Sequence, residues 1–269
     1  NGNKGHLGEI LSFDDHKVLY RSDTHAPLSV VSQRYQVVQP REIMEFYRDL
    51  TEKSGFELET AGSLKGGRKI WALARTGQSG VLKGSDRTDA YVLLATACDG
   101  TLATTAQFTS VRVVCNNTLA VALNGQSQCV KVSHRSVFDA EAVKKQMGIS
   151  VSAWDDFMYS LKALSERKVK QSEAEKFIRL LFQPRPEQVA QKSNERAMVK
   201  VLSLFGGEGR GSHLPSSRST AYGLLNAVTE FVDHERRARN TDYRLDSAWF
   251  GQGATIKRAA LDQALALVA

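Results

Sequence analysis

Side chains able to do chemistry are scattered along this chain rather than gathered into a recognisable catalytic spacing. The six histidines, His6, His16, His25, His134, His213 and His234, include no i, i+4 pair, and none neighbours a cysteine pair, so the pattern of a zinc site is missing. Asp233-His234-Glu235, at the end of a helical stretch, has the composition of acid–base machinery, but a histidine there more often compensates the negative end of a helix dipole. Cys115 sits among apolar neighbours and reads as a buried thiol rather than a nucleophile. A magnesium-dependent nuclease would need Asp23, Asp86, Asp89 and Asp99 to converge. Asp99 is explained by its Asp-Gly turn, and Asp86 and Asp89 read as solvated acids of a polar loop. The run Gly206-Gly207-Glu208-Gly209-Arg210-Gly211 lacks the Lys-Ser/Thr end of a phosphate loop and follows a helix instead of a strand. It reads as part of a flexible loop near 206–220, with Arg210 and Arg218 free to touch phosphates.

Two short basic clusters are a different kind of signal. Arg167, Lys168 and Lys170 follow one helical stretch, and Arg236, Arg237 and Arg239 follow another. They are either solvated faces or, with Lys144, Lys145 and Arg112, the lining of a groove for a phosphate backbone. Tyr35, Trp71, Tyr91 and Phe108 are aromatics that either stack on bases or join the core. The run Phe108–Ala120 carries a local conflict, because Asn116, Asn117 and Thr118 are poor helix formers inside an apolar segment. Either Asn117 caps a helix that starts late, or the three form a polar strip facing a ligand. Arg112 beside them is expected to point into a functional groove or a buried polar network.

The chain has 269 residues with 36 basic and 29 acidic side chains, a formal charge of +7, which permits a polyanionic partner. The excess is uneven: residues 161–200 alone carry ten basic and five acidic side chains. No apolar run is long enough for a membrane span. Three cysteines, Cys98, Cys115 and Cys129, form no metal spacing and cannot all pair, which points to a reducing, cytoplasmic setting. The start at Asn1-Gly2-Asn3 shows no signal peptide and reads as an interior cut.

The elements that must position these residues fall into two parts, an α+β unit over 1–135 and a mainly helical region over 138–269. Short β-rich runs lie at His16–Tyr20, Leu28–Val31 and Tyr35–Val38. Pro40 opens a helix that Gly55 stops. Hairpins are predicted from Phe56–Ser63 with Lys69–Thr76 around Gly66-Gly67, and from Tyr91–Cys98 with Thr101–Phe108 around Asp99-Gly100. Arg112–Leu123 reads as a helix and Gln128–Ser133 as a strand. Helices are then expected over Ala140–Gln146, Ala153–Leu164, Ser172–Leu181, Pro186–Phe205, Ala221–His234 and Thr255–Leu267, with Asp139, Ser152 and Ser172 as candidate caps.

Several motifs taken together resemble a widespread phage- and plasmid-borne family of unknown function: Arg21-Ser22-Asp23, Ser32–Pro40, Ala61-Gly62-Ser63-Leu64, the Asp99-Gly100 turn, Val111–Leu119 and Leu245–Gly251. They span most of the chain. That family usually begins with a further segment containing Trp-His-Gly-Leu, absent here. A more distant likeness is to the single-strand annealing proteins of recombination, the ring-forming annealers and phage Red-beta. It implies a helix, three antiparallel strands and a second helix across the sheet, here Arg41–Ser54, the strands from Phe56 to Cys98, and Arg112–Leu123.

Three functions follow as expectations. One is a single-stranded nucleic-acid-binding protein, most concretely an annealing protein, holding DNA in preference to RNA and acting as a homo-oligomer without catalysis or cofactor. A second is an oligomeric structural or regulatory protein of a mobile element. A third is a metal-dependent nuclease.

Overall fold

A computed structural model of the chain describes residues 14–35, 39–123, 126–127, 129–132, 151–182 and 192–269. The strands are β1 His16–Tyr20, β2 Pro27–Ser32, β3 Glu57–Leu64, β4 Lys69–Leu82, β5 Asp86–Ala97, β6 Thr104–Arg112, β7 Asn117–Ala120, β8 Ala122–Leu123, β9 Gln126–Ser127 and β10 Cys129–Val132. The described helices are α1 Pro40–Ser54, α2 Val151–Glu166, α3 Gln171–Phe182, α4 Lys192–Ser203, α5 Ala221–Glu230, α6 Thr241–Phe250 and α7 Gln252–Leu265.

The chain is α+β, with an antiparallel sheet in its first half and helices in its second. The main sheet runs β10-β6-β5-β4-β3, and β7 shares the outer edge of β6 with β10. β10 pairs with Thr104–Gln107 and β7 with Thr109–Arg112, end to end. β1 and β2 form a separate hairpin. The Gly66-Gly67 and Asp99-Gly100 connections behave as the residue types require. Gly66, Gly67 and Gly100 all take positive φ, and Asp99 Oδ1 accepts from Thr101 N at 3.0 Å. β4 and β5 run further than their composition suggests, to a tight turn at Lys83-Gly84, both at positive φ.

The helix expected over Arg112–Leu123 is instead the end of β6, a turn and β7. Val111, Val113 and Val114 are β-branched and suit extended backbone. Asn116 takes φ 54°, a left-handed conformation that asparagine tolerates, and its N–H donates to Arg112 O at 2.8 Å to close the turn. The annealer-like layout of a second helix directly after the strands is therefore not present at this point.

β5 is buried at all but one position because both faces of the sheet are covered. Phe108 packs on Trp154 of α2 on one face, while Trp71 meets Trp249 of α6 edge-on at 4.9 Å on the other. α5 is buried along its whole length, and Thr220 caps it by accepting from Gly223 N at 3.0 Å. One core joins Leu82, Ala90 and Phe108 of the sheet to Leu161, Phe177, Leu225 and Leu261 of the helices. α3 begins at Gln171, so Ser172 is inside it. Glu173 serves the helix start by accepting from Lys170 N at 2.9 Å. α6, between the expected helices, escaped the sequence reading because its flanks differ little in polarity. Asp139, Ala140–Gln146 and Gln36–Val38 lie outside the described residues, as do the side chains of Ser152, Lys144 and Lys145. No described helix is long and apolar enough to cross a membrane.

Candidate functional site

Arg112 is placed by the last residue of β6, in register with Thr88 of β5 and Asn117 of β7. That register drives its guanidinium inward, into a buried polar network. Nε donates to Asp86 Oδ1 at 2.8 Å and Nη2 to Asp86 Oδ2 at 2.6 Å. Nη2 also donates to Ser217 Oγ at 2.8 Å and to Gly211 O at 3.3 Å. The cation lies 5.3 Å from the Tyr222 ring centroid. Side-chain exposures of 4% for Arg112 and 0% for Asp86 leave no room for a polymeric ligand. Burial opposes the Arg112 charge, but the Asp86 carboxylate outweighs it and holds the guanidinium firmly protonated. Asp86 is thus not a solvated loop acid. It begins β5 and also accepts from Ser216 Oγ at 2.5 Å. Asp89, likewise buried, is held by Arg87 at 2.7 Å.

The same network fixes residues 206–220. Arg210 N donates to Glu230 Oε2 at 2.9 Å, Gly209 N to Leu204 O at 3.1 Å, and Lys168 Nζ to Arg218 O at 3.0 Å. The segment is irregular, as its composition implies, yet the amides at Gly209 and Arg210 are spent on the protein itself. A phosphate cradle at these two amides has no free donor.

Asn117 points into the core, where its Nδ2 donates to Thr229 Oγ1 at 3.1 Å and Asn226 O at 3.3 Å. Asn116 is the turn residue described above. Thr118 faces the opposite side of the sheet and gathers a second buried network. Asp233 Oδ2 accepts from Thr118 N at 2.7 Å, Lys257 Nζ donates to Asp233 Oδ1 at 2.7 Å, and Trp249 Nε1 donates to Thr118 Oγ1 at 3.2 Å. Burial pulls the Lys257 ammonium down from its ordinary range, against the opposing pull of Asp233. His234 Nε2 lies 2.9 Å from Cys115 O, so it must be the protonated nitrogen. The Asp233-His234-Glu235 run therefore ties the helices to the sheet, and Glu235 turns to Lys200 at 3.7 Å. Burial pushes the Cys115 thiol up to about 11, in keeping with an inert buried cysteine.

Asp23 pairs with Arg21 at 2.6 Å, Asp99 serves its turn, and Asp86 and Asp89 have separate partners. Among the described residues no three histidines, cysteines or acids gather as a metal site would require. Of the aromatics, Phe108 is fully buried, Trp71 packs on Trp249, Tyr91 donates to Glu59 and Tyr35 to Cys98 O. They belong to the protein interior or its hydrogen bonding.

The basic clusters separate in space. Arg167 donates to Leu267 O, just past the end of α7, and to Glu173 at 2.6 Å. Arg236 donates to Gln252, the first residue of α7, and to Ser247 Oγ at 3.0 Å. A helix of 14 residues lies between them, which at 1.5 Å per residue is roughly 20 Å. Lys170 is exposed, whereas Arg167 and Lys168 hold parts of the fold together.

At the other end the cations converge. Arg236, Arg237 and Arg239 lie in the loop before α6, and Tyr243, Arg244 and Ser247 lie on α6 itself; all six line one cleft of about 300 Å³. Asn240 caps α6 by accepting from Tyr243 N at 3.1 Å, which fixes the start of the helix beside the arginines. The Tyr243 ring is flanked by Lys65 Nζ at 5.4 Å and the Arg239 guanidinium at 5.0 Å. Asp246, which could have neutralised the cleft, instead binds Lys65 at 2.6 Å and also Lys69. Burial would raise the Asp246 carboxyl, but these two lysines hold it below its ordinary range. Tyr243 and Arg244 were missed in the sequence because α6 was not read as a helix. The available signal was a fourth arginine five residues after Arg239.

The run Leu245–Gly251 is explained by the same geometry: Asp246 anchors the β3–β4 turn, Ser247 holds Arg236 and Gly253 N, and Trp249 bridges Trp71 and Thr118. No curated protein and no solved structure matches the chain significantly. Residues 27–249, which carry the main sheet, the Arg112–Asp86 network and the arginine cleft, match the family described as Domain of unknown function (DUF932), and the chain belongs to that family.

Proposed function

We propose that the protein binds single-stranded nucleic acid without cleaving it, DNA in preference to RNA, and that it acts in the cytoplasm as an annealing protein of phage or plasmid recombination. The observation that carries this reading is the cleft of Arg236, Arg237, Arg239 and Arg244 beside Tyr243, which has no acid in its lining. Guanidinium groups donate in a planar fork that matches phosphate oxygens, and an aromatic ring among them offers a surface to a base. Arg112, Asn116 and Asn117 are supporting residues of the fold and leave the interface. Lys170 and Lys168, roughly 20 Å away at the far end of α7, form at most a second contact.

Fluorescence anisotropy on a labelled oligonucleotide tests the reading. Four phosphate contacts should give a slope of about −2.8 in log affinity against log salt, at about −0.7 per contact. Acceleration of complementary-strand pairing, followed by energy transfer between end labels, tests the annealing step. Absence of binding at low salt would end the proposal, and magnesium-dependent cleavage would replace it with a nuclease.

A second reading, an oligomeric scaffold of a mobile element, draws support from the β1–β2 hairpin. Val18 and Val30 are cross-strand partners, so they share a face with Tyr20, and the three are 58%, 63% and 59% exposed. A second copy of the chain is the partner that this apolar face would suit. A shift to monomer in light scattering on Val18→Ser/Val30→Ser, with nucleic-acid binding absent in both proteins, would favour this alternative.

A further inference from the structure

We infer that the arginine cleft is a receptor for a phosphate group carrying more than one negative charge, a terminal phosphate monoester or a polyphosphate, in preference to the singly charged diester of a strand interior. This deepens the reading above, because it concerns the same cleft and specifies which phosphate it takes.

Charge balance is the first argument. Four arginines line about 300 Å³ and no acid lines it with them. The acids nearest in sequence are committed elsewhere: Glu235 faces Lys200, and Asp246 neutralises Lys65 and Lys69. Asp242 is not in the lining. Among the described residues the deeply buried cations each have a carboxylate: Asp86 for Arg112, Asp233 for Lys257 and Asp246 for Lys69. The cleft breaks that habit. A single diester would leave most of the positive charge unanswered, whereas a dianion answers two guanidiniums at once.

The state of the individual arginines is the second argument. Arg236 is half-buried, yet its partners, Ser247 Oγ and Gln252 Oε1, are neutral. Arg244 donates Nη1 to His234 O, but its Nε is enclosed and has no hydrogen-bond partner. A buried, unanswered guanidinium N–H costs free energy unless an acceptor reaches it. Arg237 and Arg239 are exposed at the rim, where they can close on a ligand without disturbing the fold. The result is a cleft with two half-buried guanidiniums inside and two exposed ones at the mouth.

The test uses the full chain and two oligonucleotides of one sequence, one ending in hydroxyls and one carrying a terminal phosphate, with inorganic pyrophosphate as a separate probe. The phosphorylated strand should bind about tenfold more tightly, the worth of one further charge-assisted contact. The preference should vanish in Arg237→Gln/Arg239→Gln, whose substituted residues are exposed and leave the core untouched. Pyrophosphate should raise the thermal midpoint of the wild type and not of the variant. If neither strand binds but pyrophosphate still protects the wild type alone, the nucleic-acid reading falls and the cleft stands as a site for a free polyphosphate. If both strands bind equally and pyrophosphate does not protect, the inference is overturned while the nucleic-acid reading survives. A preference that persists in the variant also overturns it, because the phosphate then sits elsewhere.

Discussion

Replacing Arg112 by methionine should damage the fold and leave the chemistry of the arginine cleft alone. The structure sets the magnitude. Arg112→Met keeps most of the side-chain volume but strands Asp86, whose side chain is 0% exposed and whose remaining side-chain partner is Ser216. Removing one partner of a buried ion pair costs about 3–5 kcal/mol. For a chain of this size that lowers the thermal midpoint by about 10 °C. Asp86→Asn should cost a comparable amount, since both carboxylate oxygens accept from buried donors and an amide leaves the Arg112 cation unpaired, and the double variant should recover a substantial part of the loss, with a coupling energy of at least about 2 kcal/mol. Urea unfolding followed by circular dichroism gives these values. A second readout follows the segment that Arg112 holds through Arg210 O, Gly211 O and Ser217 Oγ. Trypsin should cut at Arg210 and Arg218 faster in Arg112→Met than in wild type. A loss below about 1 kcal/mol, or singles that simply add in the double variant, would refute the claim that this pair bonds the sheet to the 206–220 segment.

Further outcomes follow from other parts of the molecule. A Cβ at Gly223 would lie 1.9 Å from Ser217 O, a backbone atom, so Gly223→Ala should destabilise by about 3 kcal/mol or more in the same urea assay; a neutral result would show that α5 and the loop are not packed as described. The Asp246 carboxyl is depressed in the folded state, so its stabilisation is complete above the unfolded value near 3.8 and fades as pH falls through the lower folded value. Asp246→Asn should therefore flatten the loss of urea stability between pH 5 and pH 3, and an unchanged acid profile would contradict the pairing with Lys65 and Lys69. Burial and the pKa near 11 should keep Cys115 thiol-protonated and slow to react with Ellman's reagent at pH 8 in a Cys98→Ser/Cys129→Ser background, with rapid labelling only after unfolding; prompt labelling of the folded protein would sink this. Arg237→Glu/Arg239→Glu should reduce the salt slope of oligonucleotide binding by about 1.4, two contacts' worth, whereas Arg167→Glu should chiefly lower stability, because it places a second acid against Glu173.

Local chemistry is what the sequence by itself determined. Asp99-Gly100 and Gly66-Gly67 specify hairpins because only certain residues take left-handed backbone cheaply. Pro40 and Gly55 bracket α1 for the same kind of reason, and the 3.6-residue stripes place α2, α3, α5 and α7. That Arg112 does not face bulk solvent was legible as well, from its place beside Asn116 and Asn117, whereas the choice between a functional groove and a buried polar network needed the structure. The apolar content of Arg112–Leu123 suits either period and suggests a helix, and Asn116 decides for a turn only once β7 has β6 to pair with. The fates of the charges were decided by tertiary structure alone. Asp86 and Arg112 are 26 residues apart, Asp233 and Lys257 24 apart, and Lys69 and Asp246 177 apart. No local pattern announces such pairings, since they depend on which strand lies beside which helix. The same holds for the two basic clusters, which look alike in sequence: Arg167 and Lys168 of one are spent on carbonyls and Glu173, while the other, at the opposite end of α7, lines a cleft with no acid in its lining.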